Sequence, residues 1–426
     1  MSSTGTSLRI GRELREICGA GLVIEDPAEL QSKQIGGVVP GAAVIPASPG
    51  EVAAVLRLAN EHRLSVVPSG GRTWQRAGKI PDPIDLLLET SSLREVEHYD
   101  PGDLTIGVGA GWTVAQLSDK VSTDGLLFAG NSALPQRATT GGLLATGLAG
   151  PLRHGYGGPR DYCIGIRFIA GDGRKGKGGG RVVKNVAGFD LMKLLIGSWG
   201  TLAVITGASF KLFPAPRQTR TFVAEFETAA EAIGFRDKAV RSPLSSMSLE
   251  LISPGAIDPK DSGWAVYVRA AGSDAVLGRY RSELGAAISR EIDGQAESEL
   301  WQRVADFACD SNSSAVVLSL SLPLTEVLPV LNLIAAMCES GGMSFRTIGR
   351  IGVGHLLVSL SPDISSADFL KVLSTFREHL SRDASMSVLS GGYADLWRSS
   401  THRGSMQTVK QALDPNNILN PGRFSF

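Results

Sequence analysis

Stretches with apolar residues at helical spacing take turns with short runs in which they alternate or cluster, along most of this chain. Ser48-Pro49-Gly50-Glu51 reads as a capping box with proline at N1. Val52, Val55, Leu56 and Ala59 form one stripe behind it, so a helix starts there. After polar Asn60 to Arg63, Leu64–Val67 predicts a short buried strand that Pro68 ends. Leu104–Val108 predicts another strand. Thr113-x-x-Gln116 then caps a helix whose buried face is Val114, Leu117 and Val121. Leu191–Ile196 is an apolar helix, followed by a Gly197-Ser198-Trp199-Gly200 turn and a buried strand from Leu202 to Ile205. Lys211–Pro216 is a proline-rich crossing into a second region.

That second region repeats its pattern without repeating its sequence. Strand Thr221–Phe226, a helix capped by Thr228-x-x-Glu231, strands Met247–Leu251 and Gly263–Ala270, a helix from Ser273 and a strand near Ile288–Ile292 make one βαββαβ unit. Strand Ala315–Leu320, helix Thr325–Ser340, strands around Ser344–Ile348 and His355–Leu360, helix Ser365–His379 and strand Ser385–Leu389 make a second. Two such units side by side predict one large antiparallel sheet with its helices on one face. The fold class is α+β. The expected division is a helical segment over residues 1–35, a domain over 36–214, a cap domain over 215–390 and a segment over 391–426 that docks back on the first domain.

Composition narrows the chemistry. At 426 residues the chain is too long for one core. Its net charge of +0 offers no basic footprint for nucleic acid or an anionic membrane. Four scattered cysteines (Cys18, Cys163, Cys309, Cys338) contain no CxxC pair, which argues against an iron–sulfur cluster or zinc ribbon and for a reducing compartment. The N-terminal stretch has no apolar signal region. The richest apolar run, Val327–Cys338, is shorter than the ~20 residues of a membrane span. A cytoplasmic protein is expected.

The 51 glycines cluster in loops. Pro68-Ser69-Gly70-Gly71-Arg72-Thr73 follows a strand, and its backbone N–H groups suit an anion, although an ordinary turn accounts equally well for it alone. Asn131–Gly150 places Thr139, Thr140, Gly141, Gly142, Ala145 and Gly147 where small side chains leave a groove for a flat ligand, or allow tight helix packing. The turn around Gly200 brings backbone close to something bulky. Two lookalikes fail. Gly107-x-Gly109-x-Gly111 lacks the GxGxxG spacing, and Gly171-Asp-Gly-Arg-Lys-Gly-Lys177 has Gly178 where a P-loop needs Ser or Thr, so it reads as a basic hairpin tip.

VVPSGGRT, ATTGGLLATGLAG, RDYCIGIRFIAGDG, VVKNVAGFDLMKLLIGSWGTLAVIT and DPNNILNPGRF occur in this order. Together they resemble the FAD-binding oxidoreductases of the vanillyl-alcohol-oxidase/p-cresol-methylhydroxylase fold, and most of all the smaller FAD-binding subunit of bacterial glycolate oxidase. The resemblance implies a two-part FAD-binding domain in which Ser69, Gly70, Gly71, Arg72 and Thr73 bind the pyrophosphate. Pro135, Thr139, Thr140, Gly141 and Gly142 would follow the pyrophosphate and flavin, and Ile205 would meet the adenine end. Gly200 and Asn420 complete the implied set. Covalently flavinylated relatives often carry histidine where this chain has Arg72, so non-covalent FAD is expected.

Relatives that oxidise D-2-hydroxy acids carry a metal-binding GHxGDGNxH-type segment. The comparable stretch here is Gly349 to Leu357, with Arg350, Val353 and Leu357 at the first histidine, the aspartate and the second histidine. No metal is expected. Arg350 and His355 are the candidate catalytic pair, for carboxylate binding and proton removal, although both equally suit a strand's polar face. Tyr393, Arg398 and His402 are further candidates, and His154 stays open. The resemblance implies a larger FAD-containing catalytic subunit and an iron–sulfur subunit as partners, and a 2-hydroxy acid as substrate. A self-sufficient dehydrogenase or oxidase and a non-catalytic flavin-bearing scaffold are the alternatives.

Overall fold

The structure is a computed structural model that describes residues 3–180, 190–309, 315–361, 366–390 and 403–424. Helix α1 (Ser3–Cys18) leads into a four-stranded sheet of β1 (Val23–Ile24), β2 (Ala42–Val44), β3 (Val66–Ser69) and β4 (Leu86–Glu89), ordered β1-β2-β4-β3. Helix α2 (Pro49–His62) crosses from β2 to β3 and buries Val52, Val55, Leu56 and Ala59. Its cap differs in one bond from the expected box. Ser48 accepts from Glu51 N, but the Glu51 carboxylate reaches past the cap to Ala47 N. Strand β3 also runs through Pro68 instead of ending there. Proline is tolerated because β3 is the outer strand of this sheet, where a missing N–H costs no ladder bond.

The second sheet is antiparallel: β5 (Val96–Asp100), β6 (Thr105–Gly109), β7 (Cys163–Ala170), β8 (Lys175–Gly179) and β9 (Ala203–Lys211), in the order β5-β6-β9-β7-β8. The expected basic hairpin tip joins β7 to β8. Helices α3 (Val114–Ser122), α4 (Thr140–Thr146) and α5 (Leu191–Leu195) pack on it. The Thr113 capping box is complete, and Val114, Leu117 and Val121 are buried as its spacing predicts.

Beyond residue 215 lies one eight-stranded antiparallel sheet. Its first unit is β10 (Thr219–Phe226), α6 (Ala229–Arg241), β11 (Ser248–Ile252), β12 (Trp264–Ala271), α7 (Asp274–Leu284) and β13 (Ile288–Ile292). After α8 (Gly294–Asp306) comes the second: β14 (Val316–Ser321), α9 (Val327–Gly341), β15 (Ser344–Arg350), β16 (His355–Ser361), α10 (Ser366–Glu378) and β17 (Ser385–Ser390). The order β13-β10-β12-β11-β15-β16-β14-β17 sets the two βαββαβ units back to back across the β11–β15 seam. Residues of α6, α7, α9 and α10 share one core against one face of the sheet.

Helix α8 departs from the expected one-sided arrangement. Its Leu300, Trp301, Val304 and Ala305 bury against the opposite face, toward the N-terminal half, and Asp306 accepts a hydrogen bond from Leu134 N at 2.7 Å. Helix α9, with its 3₁₀ lead-in, spans Leu324–Gly341. Its length of 18 residues and mean hydropathy of 1.2 make it long and apolar enough to cross a membrane, which the shorter run Val327–Cys338 did not suggest. Val327, Val330, Leu331, Ile334 and Cys338 are nonetheless buried in the cap core.

The final helix, α11 (Arg403–Leu413), pins the C-terminal segment to the N-terminal half. Buried Lys410 donates to Thr201 O (2.6 Å), Leu419 O (2.9 Å) and Asp414 Oδ2 (2.6 Å), while the Asp414 carboxylate also receives Ile418 N and Leu419 N. Burial holds the Lys410 amine below its usual range, and Asp414 opposes that shift. Lys410→Met leaves two buried carbonyls and a carboxylate short of a donor. We expect a loss of about 3 kcal/mol in chemical denaturation, because breaking a buried pair leaves an uncompensated charge.

Candidate active site

Three backbone segments meet in an open groove: Pro68–Gln75 at the end of β3, Thr139–Thr146 around the start of α4, and Trp199–Ile205 entering β9. The first two touch so closely that only glycine fits. A Cβ on Gly71 would stand 1.7 Å from Arg137 O, and one on Gly70 would stand 2.2 Å from Thr139 Oγ1. At the third segment Gly197, Trp199 and Gly200 all have positive φ (87°, 55° and 68°), which turns the chain sharply before β9. Asn420 Nδ2 donates to Trp199 O and Gly200 O, so the tail holds this turn. Ser69 Oγ is buried in the groove wall without a hydrogen-bond partner. A buried orphan of this kind marks a place where a ligand acceptor or donor is due.

Most of the predicted cofactor residues come together here: Ser69, Gly70, Gly71, Arg72, Thr73, Thr139, Gly141, Gly142, Ala145, Gly200, Ile205 and Asn420. Three do not line the groove. Thr140 is fully buried and donates to Gly109 O, Pro135 accepts from Ala115 N, and Gly147 (φ 66°) closes α4 against Gly197. They shape its walls from behind. Arg72 contributes backbone, because its guanidinium reaches away to Ser32 O and Gln34 O (2.8 Å). Trp74, Thr146, Trp199 and Arg423 line the groove unforeseen. Thr146, Trp199 and Arg423 each lie inside a motif that carried the resemblance, and only Trp74 stands outside one; burial holds the Arg423 guanidinium down to about 10.

A second, tighter cavity adjoins the groove and shares Thr73, Trp74, Gly142 and Thr146 with it. Its far wall is the cap sheet. Arg350 ends β15 and His355 begins β16, two positions joined by a tight turn with Gly354 at φ 66°. Both side chains are buried and line this cavity, with Ser132, Ala305, Ala308, Leu357 and Leu389 around them. Arg350 Nη1 lies 2.8 Å from His355 Nδ1, and His355 Nε2 lies 3.0 Å from Ser319 Oγ. A guanidinium only donates, so Nδ1 accepts and the imidazole is the neutral Nε2–H tautomer. Burial first, then Arg350 and Arg153, hold the His355 imidazole well below its usual range. Behind Arg350 stands Glu250, with Oε1 3.7 Å from Arg350 Nε. Ser132 Oγ is a further buried orphan in this lining.

His154 sits on the short helix Arg153–Tyr156, against the β15–β16 turn: a Cβ on Gly352 would lie 2.2 Å from its Cε1. Its Nδ1 is buried without a partner, and burial lowers its affinity for a proton. Tyr393, Arg398, His402 and the VKNVAGF stretch lie outside the described residues. Among the described residues no three His, Cys, Asp or Glu side chains gather as metal ligands.

Comparison with known proteins agrees with this geometry. The FAD binding domain family matches residues 40–175, and the C-terminal domain family of FAD linked oxidases matches residues 398–424. A D-lactate dehydrogenase of Archaeoglobus fulgidus is 29% identical over 409 residues, covering 89% of this chain and 90% of that protein. Glycolate oxidase subunit GlcE of Escherichia coli is 28% identical over 337 residues, covering 79% and 86%. Crystalline p-cresol methylhydroxylase superposes with a TM-score of 0.80 at 15% identity, over 99% of this chain and 97% of that one, a likeness of fold. The chain is an FAD-dependent oxidoreductase of the vanillyl-alcohol-oxidase/p-cresol-methylhydroxylase fold. The cradle that admits no Cβ and the orphaned Ser69 hydroxyl fit FAD as its cofactor.

Proposed function

We propose that this protein oxidises the CH–OH carbon of a small 2-hydroxy acid, with FAD held non-covalently. We further propose that it serves as the FAD-bearing subunit of an assembly with a larger FAD-containing catalytic subunit and an iron–sulfur subunit. One observation carries the chemistry: a buried guanidinium and imidazole line a cavity that opens off the cofactor groove. The names of the relatives, a D-lactate dehydrogenase and a glycolate oxidase subunit, support the substrate class and the assembly.

When bound, FAD supplies the acceptor for the hydrogen and electron pair leaving the CH–OH carbon. This chain's residues supply the rest. Arg350 anchors the carboxylate, and its planar fork suits a bidentate contact. The arriving carboxylate competes with His355 Nδ1 for the guanidinium donor; once released, Nδ1 is free to accept the hydroxyl proton. Leu357, Leu389, Ala305 and Ala308 exclude water from the reacting carbon.

Anaerobic addition of D-lactate or glycolate to the assembly is expected to bleach the flavin absorbance; an unchanged spectrum with both sinks the substrate reading. The chain purified alone is expected to reduce an artificial acceptor only slowly. Robust turnover alone would keep the chemistry and remove the assembly, the outcome that a complete Arg350–His355 cavity within one chain would explain. Acid precipitation is expected to release all yellow colour into the supernatant, and colour in the pellet would show a covalent link.

A further inference from the structure

Glu250 is the most conspicuous unexplained group in the molecule. It faces Arg350 across the β11–β15 seam as its register partner, and it is completely buried. Neither carboxyl oxygen has a hydrogen-bond partner, and neither does Arg350 Nε. Their 3.7 Å separation is an ion-pair contact without the hydrogen bonds that make a buried pair favourable. A structural salt bridge closes those bonds, as Lys410 and Asp414 do elsewhere in this fold. Glu250 does not line the cavity, so it reaches a substrate only through Arg350.

We propose that Glu250 is a positioning residue that sets the charge Arg350 offers to an incoming carboxylate. This rests on the 2-hydroxy-acid reading above. With a neutral Glu250 carboxyl the guanidinium keeps its full charge for the substrate. With an ionised Glu250 the pair is already neutral, and a second carboxylate at Arg350 leaves one uncompensated negative charge in a low-dielectric site. Burial pushes the Glu250 carboxyl up to about 8, against the opposing pull of Arg350. Carboxylate binding is therefore strong at neutral pH and lost as pH rises above that value, with the proton released to solvent.

The surrounding groups leave this window to Glu250. Arg153 on the neighbouring short helix and Arg269 on β12 are the other guanidinium groups nearby, and burial lowers Arg350 while Glu250 opposes that shift. His355 on β16 and His154 are held below their usual range and are neutral there. Tyr267, the β12 partner of Glu250, is raised by burial and stays neutral.

The test uses the FAD-loaded protein and oxamate, a monoanionic analogue of a 2-hydroxy acid, with Kd read from the flavin absorbance between pH 7 and 10. Wild-type affinity is expected to hold near pH 7 and to weaken at least ~10-fold by pH 10, the scale of one pKa unit. Glu250→Gln is expected to flatten that profile while retaining FAD and neutral-pH affinity. An unchanged slope in Glu250→Gln, or a flat wild-type profile, overturns the proposal. If wild-type binding is flat yet abolished by Arg350→Met, the hydroxy-acid site survives without Glu250. If oxamate fails to bind wild type at any pH, both readings fall together.

Discussion

Gly71→Ala is expected to yield protein with less than about a tenth of the wild-type FAD content. The added methyl would stand 1.7 Å from Arg137 O and 2.5 Å from Arg137 C, both backbone atoms that cannot swing aside. The Pro68–Gln75 and Thr139–Thr146 walls must separate to admit it. Ordinary overpacking costs about 1–3 kcal/mol; here the cost falls on the two segments that form the groove. The check is the ratio of flavin to protein absorbance after gel filtration, with a thermal melt in added FAD. Gly50→Ala is the control, because its nearest neighbour would be Ser48 Oγ at 3.6 Å in the first turn of α2. Equal FAD content in the two variants would show that the close approach at Gly71 has no bearing on the cofactor.

Arg350→Met is expected to retain FAD but lose at least ~100-fold in kcat/KM for the hydroxy acid that wild type turns over. Removing the charged partner of a buried carboxylate typically costs about 2–5 kcal/mol, and 2.7 kcal/mol is a hundredfold. The fold should tolerate the change. Glu250, left behind, is buried and has its carboxyl raised by that burial, so it stays neutral at pH 7. Arg350→Lys is expected to recover little, because an ammonium is a point charge and cannot reproduce the planar fork that reaches His355 Nδ1. Full activity in Arg350→Met would remove the carboxylate anchor from the proposed chemistry.

The glycine loops were legible because close backbone approach leaves a compositional trace: Gly70 and Gly71 stand where no side chain fits. The groove's aromatic and polar lining was less so. Trp74 follows the first glycine loop with nothing in the sequence to mark it, Trp199 reads only as part of a tight turn, and Thr140 reads like Thr139 although it points to Gly109 O instead. Helix α8 was missed, although Leu300, Trp301 and Val304 keep helical spacing, because it stands outside the repeated βαββαβ order. Only the assembled sheet creates the second face that this helix covers.

Local chemistry, then, was written in the chain itself. Capping boxes at Thr113 and Thr228, the period of each apolar stripe and the repeated strand–helix order depend on residues a few positions apart, whose geometry is the same wherever the segment lies. The meeting of Gly71 with Arg137, of Arg350 with Glu250, and of Lys410 with Thr201 depends on strand order and on how the sheets pack. Pairs separated by tens to hundreds of residues leave no periodic trace, and burial decides their charge states. Tertiary structure alone turned an arginine and a histidine from a strand's polar face into the buried wall of a cavity beside the cofactor groove.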